Sequence, residues 1–130
     1  MSGKLVMITP MERVGGGLLN KAKLKVYSEL KYNKKIEILE KSSLKAAKLI
    51  KNNSLNFVYI DANHEYNFVK KDLNIWWPKL KKHGILFGDD YFSESKQKYG
   101  VIKAVNEFVF KKKMLVHHTD NFKQYFFIKN

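Results

Sequence analysis

Residues 56–61, Asn-Phe-Val-Tyr-Ile-Asp, and residues 85–90, Ile-Leu-Phe-Gly-Asp-Asp, decide the fold of this chain. Each stretch is a short apolar run that ends on acidic residues, which is typical of a parallel strand buried on both faces. Between them, from about Tyr66 to Leu80, apolar residues recur at helical spacing. This order predicts two neighbouring parallel strands joined by a helix, with their acidic ends at one edge of the sheet.

The same alternation of strands and helices continues in both directions. Further strands are predicted at residues 5–8, 35–39, 114–117 and 124–128, and further helices at residues 18–30, from Ser42 or Ser43 to Ile50, and around residues 101–109. Alternating elements favour a single α/β domain over residues 1–130, with a mostly parallel sheet.

The composition excludes several classes of protein. The 130 residues contain no cysteine, which rules out a disulfide scaffold and a cysteine-bound zinc site. No apolar run approaches the roughly 20 residues of a membrane helix, and the apolar stretch after Lys4 is too short for a secretory signal. We therefore expect a soluble cytoplasmic protein that does not bind membranes.

The net charge of +13 at first indicates nucleic-acid binding. However, Arg13 is the only arginine among the 25 basic residues, and the lysines are spread over nearly every predicted helix. Arginine supplies most bidentate contacts to bases and phosphates. The charge pattern therefore favours general solubility, and nucleic-acid binding is the weaker interpretation.

Acidic residues follow two strands that we expect to be neighbours. Asp61 follows the first strand, and Asp89 and Asp90 follow the second. Carboxylates that converge repel one another, and a hard divalent ion such as Mg²⁺ relieves that repulsion. The set predicts a metal site, although each residue taken alone also fits a solvent-exposed loop acid.

His64 lies three residues after Asp61, in the loop that leads to the next helix. An imidazole there is suited to accept a proton from a substrate hydroxyl near the metal. The alternative is a helix-capping or solvent-facing histidine. The other three histidines, His83, His117 and His118, are expected to be structural or exposed.

Several linked motifs resemble class I S-adenosylmethionine-dependent methyltransferases, and small-molecule O-methyltransferase-like proteins in particular. They are residues 57–66, Lys71-Asp72-Leu73, residues 76–80, residues 83–91 and the Gly100-Val101 to Ala104-Val105 segment. The resemblance covers roughly Lys35 to Phe110, with His83 in place of a family glycine. It implies a Rossmann-like three-layer sandwich that ends in an antiparallel hairpin.

The resemblance also implies S-adenosylmethionine as cofactor and a small-molecule acceptor. Asp61, Asp89 and Asp90 then correspond to the metal triad of catechol-type O-methyltransferases, and His64 stands where those enzymes have a lysine base. The ion would bind the acceptor hydroxyl and align it for attack on the sulfonium methyl. Ser43 matches a position beside the adenine, and it also fits a helix cap.

The first strand of that family and its glycine-rich loop are not recognised in the chain. Gly15-Gly16-Gly17 lacks the spacing and the setting of that loop. We therefore expect an amino-terminally truncated fold that lacks the first strand–helix unit. A homo-oligomer or a completing partner chain is then expected.

Two other functions remain open at this stage. One is a non-catalytic interaction module with an exposed apolar sheet edge. The other is a lysine-rich nucleic-acid-binding protein.

Overall fold

A computed structural model of the protein describes residues 5–9, 25, 28–29, 32–34, 36–91, 99–121 and 123–130. The chain divides into two units, Met1–Leu49 and Ile50–Asn130. The prediction of a single domain stays a prediction.

The first unit contains a pair of parallel strands. Strand β1 (Leu5–Thr9) pairs with β2 (Ile36–Glu40), with Met7 opposite Ile38. Both strands lie within one residue of their predicted positions. The predicted glycine connection at residues 15–17 and most of the predicted helix at residues 18–30 lie outside the described residues.

Helix α1 (Ser43–Ala47) follows β2 and is shorter than predicted. Of the two serines that we considered as its cap, Ser42 takes that role, because its side chain accepts a hydrogen bond from the Lys45 N–H at 3.4 Å. Ser43 is the first helical residue.

The second unit is built on a four-stranded sheet with the order β3-β4-β6-β5. Its elements are β3 (Leu55–Ile60), α2 (Tyr66–Trp76), β4 (Leu80–Gly88), α3 (Tyr99–Lys112), β5 (His117–His118) and β6 (Tyr125–Ile128). Strands β3 and β4 are parallel, whereas β6 runs antiparallel to both β4 and β5. The α/β class, the parallel pairing and the final antiparallel hairpin are thereby confirmed.

Helix α2 ends four residues before its predicted end. A short 3₁₀ turn covers Trp77–Lys79, and Leu80 already belongs to β4. Pro78 lies within this turn and has no N–H to extend the α-helical hydrogen-bond ladder. Strand β5 shares only His117 with the predicted strand at residues 114–117, because residues 114–116 are not in a strand.

The core of this unit lies on one face of the sheet. Val58, Leu86 and Phe127 are buried and stand side by side on three adjacent strands. The centroid of the Phe127 ring lies 5.6 Å from that of Phe108 in α3 and 5.7 Å from that of Trp77. Helix α3 thus covers this face.

The prediction that β3 is buried on both faces is wrong, because the opposite face of the sheet is partly exposed. Phe57 and Tyr59 of β3 keep 52% and 42% of their surface exposed. Six side chains, which we call the open sheet face, alternate with the buried ones: Phe57, Tyr59, Ile85, Phe87, Phe126 and Ile128. Among the described residues β3 pairs only with β4, so this apolar strand lies at an edge of its sheet.

None of the helices that the structure describes is long and apolar enough to cross a membrane.

We predict that Gly88→Ala lowers the free energy of unfolding of this unit by about 1–3 kcal/mol, as overpacking does. A Cβ at Gly88 would lie 2.5 Å from the Tyr125 Oη and 2.7 Å from the Ile60 carbonyl oxygen. Urea unfolding measures the loss. Lys82→Ala, at an exposed position of the same strand, serves as control and should change stability by less than about 0.5 kcal/mol. Equal stability of the two variants would contradict the close packing at Gly88.

Candidate metal centre

The acidic residues lie at the carboxyl ends of two adjacent parallel strands, as predicted. Ile60, the last residue of β3, pairs with Gly88, the last residue of β4. Asp61 therefore emerges next to Asp89 and Asp90. The Asp89 N–H donates to the Ile60 carbonyl at 3.3 Å, which extends the strand pairing to the acidic residues. In open α/β sheets ligands bind at this edge.

The loop of residues 61–65 places His64 over the same edge. The Asn63 Oδ1 accepts a hydrogen bond from the Glu65 N–H at 2.8 Å, and Glu65 is the N-cap residue of α2. The alternative in which His64 caps the helix is thus not realised. The His64 Nε2 lies 2.8 Å from an Asp90 carboxylate oxygen and 3.8 Å from an Asp61 oxygen.

The three ligand atoms of Asp61, His64 and Asp90 lie within 4.8 Å of one another. The Nε2 of His64 is shielded from solvent and makes no hydrogen bond. A buried polar atom without a hydrogen bond is uncommon in folded proteins. Since imidazole nitrogen and carboxylate oxygen both bind divalent metals, this group has the donor atoms that a metal ion requires.

Asp89 lies beside this group and contacts the backbone of Asp90. Its Oδ1 accepts a hydrogen bond from the Asp90 N–H at 2.9 Å, and it is not a member of the three-residue group. Asp90 has a φ of +61°, a conformation that aspartate tolerates better than most residues. The roles of Asp61, Asp89 and Asp90 as metal ligands and of His64 as base stay predictions.

The negative potential of this edge is visible at Tyr59. Burial raises the pKa of its phenol, and the carboxylates of Asp89 and Asp61 raise the same pKa further, because they oppose a second negative charge. A hydrogen bond with Gln124 acts in the opposite direction. The carboxylates therefore act together on one small region of the sheet edge.

Helix α3 supports the His64 loop through Gly100, a role that the sequence analysis missed. A Cβ at Gly100 would lie 2.6 Å from the His64 carbonyl oxygen and 2.6 Å from the Tyr66 nitrogen. The Tyr66 hydroxyl also donates a hydrogen bond to Glu107 of α3. A glycine early in a predicted helix is the only sequence signal of such a close approach.

The remaining predicted residues lie elsewhere. Ser43 belongs to the first unit, and its role toward a cofactor stays a prediction. His83, His117 and His118 are exposed, as expected. His83 has a φ of +64°, a left-handed conformation that favours glycine, so the glycine expected here from the resemblance would fit without strain.

Parallel strands joined by a helix, with acidic residues beyond their carboxyl ends, are typical of Rossmann-like α/β proteins. The profile of a family described as a methyltransferase domain matches residues 2–91. The chain belongs to this family of methyltransferase domains, and the predicted resemblance is confirmed. A comparison with curated proteins gives no match.

Solved structures share the fold at low sequence identity. A protein from Corynebacterium glutamicum is 16% identical with a TM-score of 0.71, and the match covers 97% of this chain and 60% of that one. An O-methyltransferase from Bacillus cereus, in complex with S-adenosylhomocysteine, is 14% identical with a TM-score of 0.62, over 97% and 61% of the two chains.

A third similar structure is the O-methyltransferase TomG from Streptomyces achromogenes, involved in tomaymycin synthesis and solved with S-adenosylmethionine. It is 10% identical with a TM-score of 0.64, over 98% of this chain and 63% of that one. The chain thus spans about 60% of the length of these structures.

We predict that Gly100→Ala moves the loop that carries His64, because the new Cβ would overlap the loop backbone. The ring resonances of His64 in NMR spectra should shift, and the free energy of unfolding should fall by about 1–3 kcal/mol. Lys111→Ala, at an exposed position of the same helix, is the control and should leave the His64 resonances in place. Unchanged His64 resonances in Gly100→Ala would show that α3 does not position this loop.

Proposed function

We propose that the chain acts in S-adenosylmethionine-dependent O-methylation of a small-molecule hydroxyl, assisted by a divalent metal ion, in the cytoplasm. The observation that carries this proposal is the group of Asp61, His64 and Asp90 at the carboxyl ends of two parallel strands. Membership of the methyltransferase-domain family supports the reaction class. The complexes of the Bacillus cereus and Streptomyces achromogenes enzymes support the choice of cofactor.

A metal ion at this edge would lower the pKa of a coordinated hydroxyl and hold its oxygen in place. The chain itself supplies the carboxylates of Asp61 and Asp90, with Asp89 fixing the backbone of Asp90 through the hydrogen bond to its N–H. Helix α2 begins directly after the loop of His64, and Gly100 of α3 packs against the backbone of that loop. Rigid support of this kind keeps donor atoms in position before a substrate arrives.

The carboxylates also suit the cofactor electrostatically. The sulfonium group of S-adenosylmethionine carries a positive charge, and the strand edge carries the charges of Asp61, Asp89 and Asp90. Before an ion binds Asp61 and Asp90, attraction between these charges favours binding of the cofactor at this edge of the sheet. Ser43 is included in the proposal as a residue on the cofactor side.

We predict that the metal-free chain binds S-adenosylmethionine and that Asp61→Asn weakens this binding at least ~10-fold through loss of a carboxylate charge. Isothermal titration calorimetry measures both affinities. Asp120→Asn removes an exposed carboxylate from the turn before β6 and is the matched control. Absence of heat at millimolar cofactor, or equal binding by the wild type and Asp61→Asn, would count against the proposal.

A second candidate function is favoured by the open sheet face. Its side chains are apolar, and three of them, Phe57, Tyr59 and Ile128, are more than 40% exposed. Apolar patches on a protein surface commonly mark interaction sites. Because the face contains no charged residue, two copies can oppose it without charge repulsion at the contact, so we propose a second copy of the chain as the occupant.

We predict for this function a dimer that Phe57→Asp dissociates, because the carboxylate would be buried against an apolar surface. Sedimentation equilibrium measures the molecular mass. Phe110→Asp is the control, since Phe110 is 86% exposed and lies on α3, away from the open sheet face. A wild-type chain that remains monomeric at high micromolar concentration would rule out this candidate.

A further inference from the structure

We infer that His64 is a ligand of the metal ion rather than a free base, and that the site selects a divalent transition ion over Mg²⁺. The inference deepens the metal-assisted function proposed above and rests on it for its catalytic meaning. It concerns the donor atoms of one small group, Asp61, His64 and Asp90.

The orientation of the His64 ring is the first argument. A base must present its nitrogen to the substrate hydroxyl within hydrogen-bond reach. The Nε2 instead has almost no solvent-accessible surface and lies 2.8 Å from the Asp90 Oδ2. In this position it lies beside the Asp90 carboxylate and is closed to a hydroxyl from the solvent side.

The spacing of the donor atoms is the second argument. Ligands at about 2.1 Å from a metal stand about 3.0 Å apart in octahedral geometry and about 3.4 Å apart in tetrahedral geometry. The His64 nitrogen lies 2.8 Å from one carboxylate oxygen and 3.8 Å from the other. These distances bracket the expected values, so small side-chain rotations are enough to close the group around an ion.

Hydrogen bonding supplies the third argument. A histidine that merely pairs with Asp90 would donate a hydrogen bond to it. The Nε2 of His64, however, makes no hydrogen bond despite its short distance to the carboxylate. A metal ion bound to both groups would account for an Nε2 that lies this close to the carboxylate without donating a hydrogen bond to it.

The donor set determines the class of the ion. Mg²⁺ is a hard cation that is bound through oxygen atoms and retains several waters. Imidazole nitrogen suits zinc, iron, cobalt and nickel much better. One nitrogen and two carboxylate oxygens therefore favour a transition ion and leave further positions for water or a substrate oxygen.

Contacts of the loop with neighbouring residues restrict the position of the His64 nitrogen. The Asn63 side chain holds the Glu65 N–H, and Gly100 of α3 lies against the backbone at His64 and Tyr66. Rotation of the His64 backbone away from the carboxylates would require α3 to move. Metal sites depend on such outer contacts to orient their ligands.

Calorimetric titration of the full chain with Co²⁺ and with Mg²⁺ is the first test. We expect Co²⁺ to bind at least ~10-fold more tightly than Mg²⁺, and His64→Ala to reduce the Co²⁺ affinity at least ~10-fold. His83→Asn is the matched control, because His83 is exposed at the opposite end of β4 and asparagine accepts its left-handed backbone. Its Co²⁺ affinity should equal that of the wild type.

A second measurement needs no variant and so does not depend on the folding of His64→Ala. In a chain labelled with ¹⁵N-histidine, the diamagnetic ion Zn²⁺ should strongly shift the Nε2 resonance of His64 and leave that of His83 unchanged. An unchanged His64 resonance, a wild-type affinity in His64→Ala, or Mg²⁺ binding as tight as Co²⁺ binding would each overturn the inference.

These results are independent of the test of the proposed function. Co²⁺ binding through His64 without any binding of S-adenosylmethionine would uphold the metal site and refute the methyltransferase function. Cofactor binding that depends on Asp61, together with a His64 resonance that does not respond to Zn²⁺, would refute the inference alone.

Discussion

The in-register parallel pairing of β3 with β4 is the constraint on which the site depends. It places Ile60 opposite Gly88, so the residues that follow both strands emerge side by side. The pairing is close because Gly88 has no side chain where the Tyr125 hydroxyl and the Ile60 carbonyl approach. A shift of one residue would exchange the buried and exposed faces of β3 and would separate Asp61 from Asp90. The backbone hydrogen bonds between β3 and β4 thus determine where Asp61 and Asp90 lie relative to each other.

Helices α2 and α3 also restrict the position of the His64 loop. Helix α2 begins directly after the His64 loop, and α3 lies against that loop at Gly100. Tyr66 connects the two helices through its hydrogen bond to Glu107. The loop is therefore held at its start by β3 and at its end by α2, and α3 packs against its backbone. A ligand on such a loop is positioned by packing rather than by its own conformational preference.

Much of this arrangement could be predicted from the sequence. Apolar runs ending in Asp61 and Asp89, with a helical pattern between them, predicted two adjacent parallel strands, and the structure confirms their pairing. The motifs from residue 57 onward predicted the methyltransferase family, which the profile match confirms. The end of α2 was predicted less accurately, because Pro78 allows either a distorted last turn or a separate 3₁₀ turn.

Other features could not be predicted, since they depend on tertiary contacts. Phe57 and Tyr59 are exposed because they lie on the open sheet face, and composition alone assigns such an apolar strand to the interior. Likewise, periodicity does not report the direction in which the His64 nitrogen points. The sequence separation of three residues from Asp61 is equally compatible with a base and with a ligand. The contact between His64 and Asp90, on which the assignment as a ligand is based, is seen only in the structure.

The central claim is that Asp61, His64 and Asp90 form one metal site at the strand ends of a methyltransferase domain. Anomalous diffraction at the cobalt absorption edge, from crystals of the chain grown with Co²⁺, tests it most directly. The account predicts a single strong peak at this edge of the sheet, about 2.1 Å from the His64 Nε2 and from one oxygen of each carboxylate. A peak at other side chains only, or a peak held by the carboxylates with His64 turned away, would contradict it.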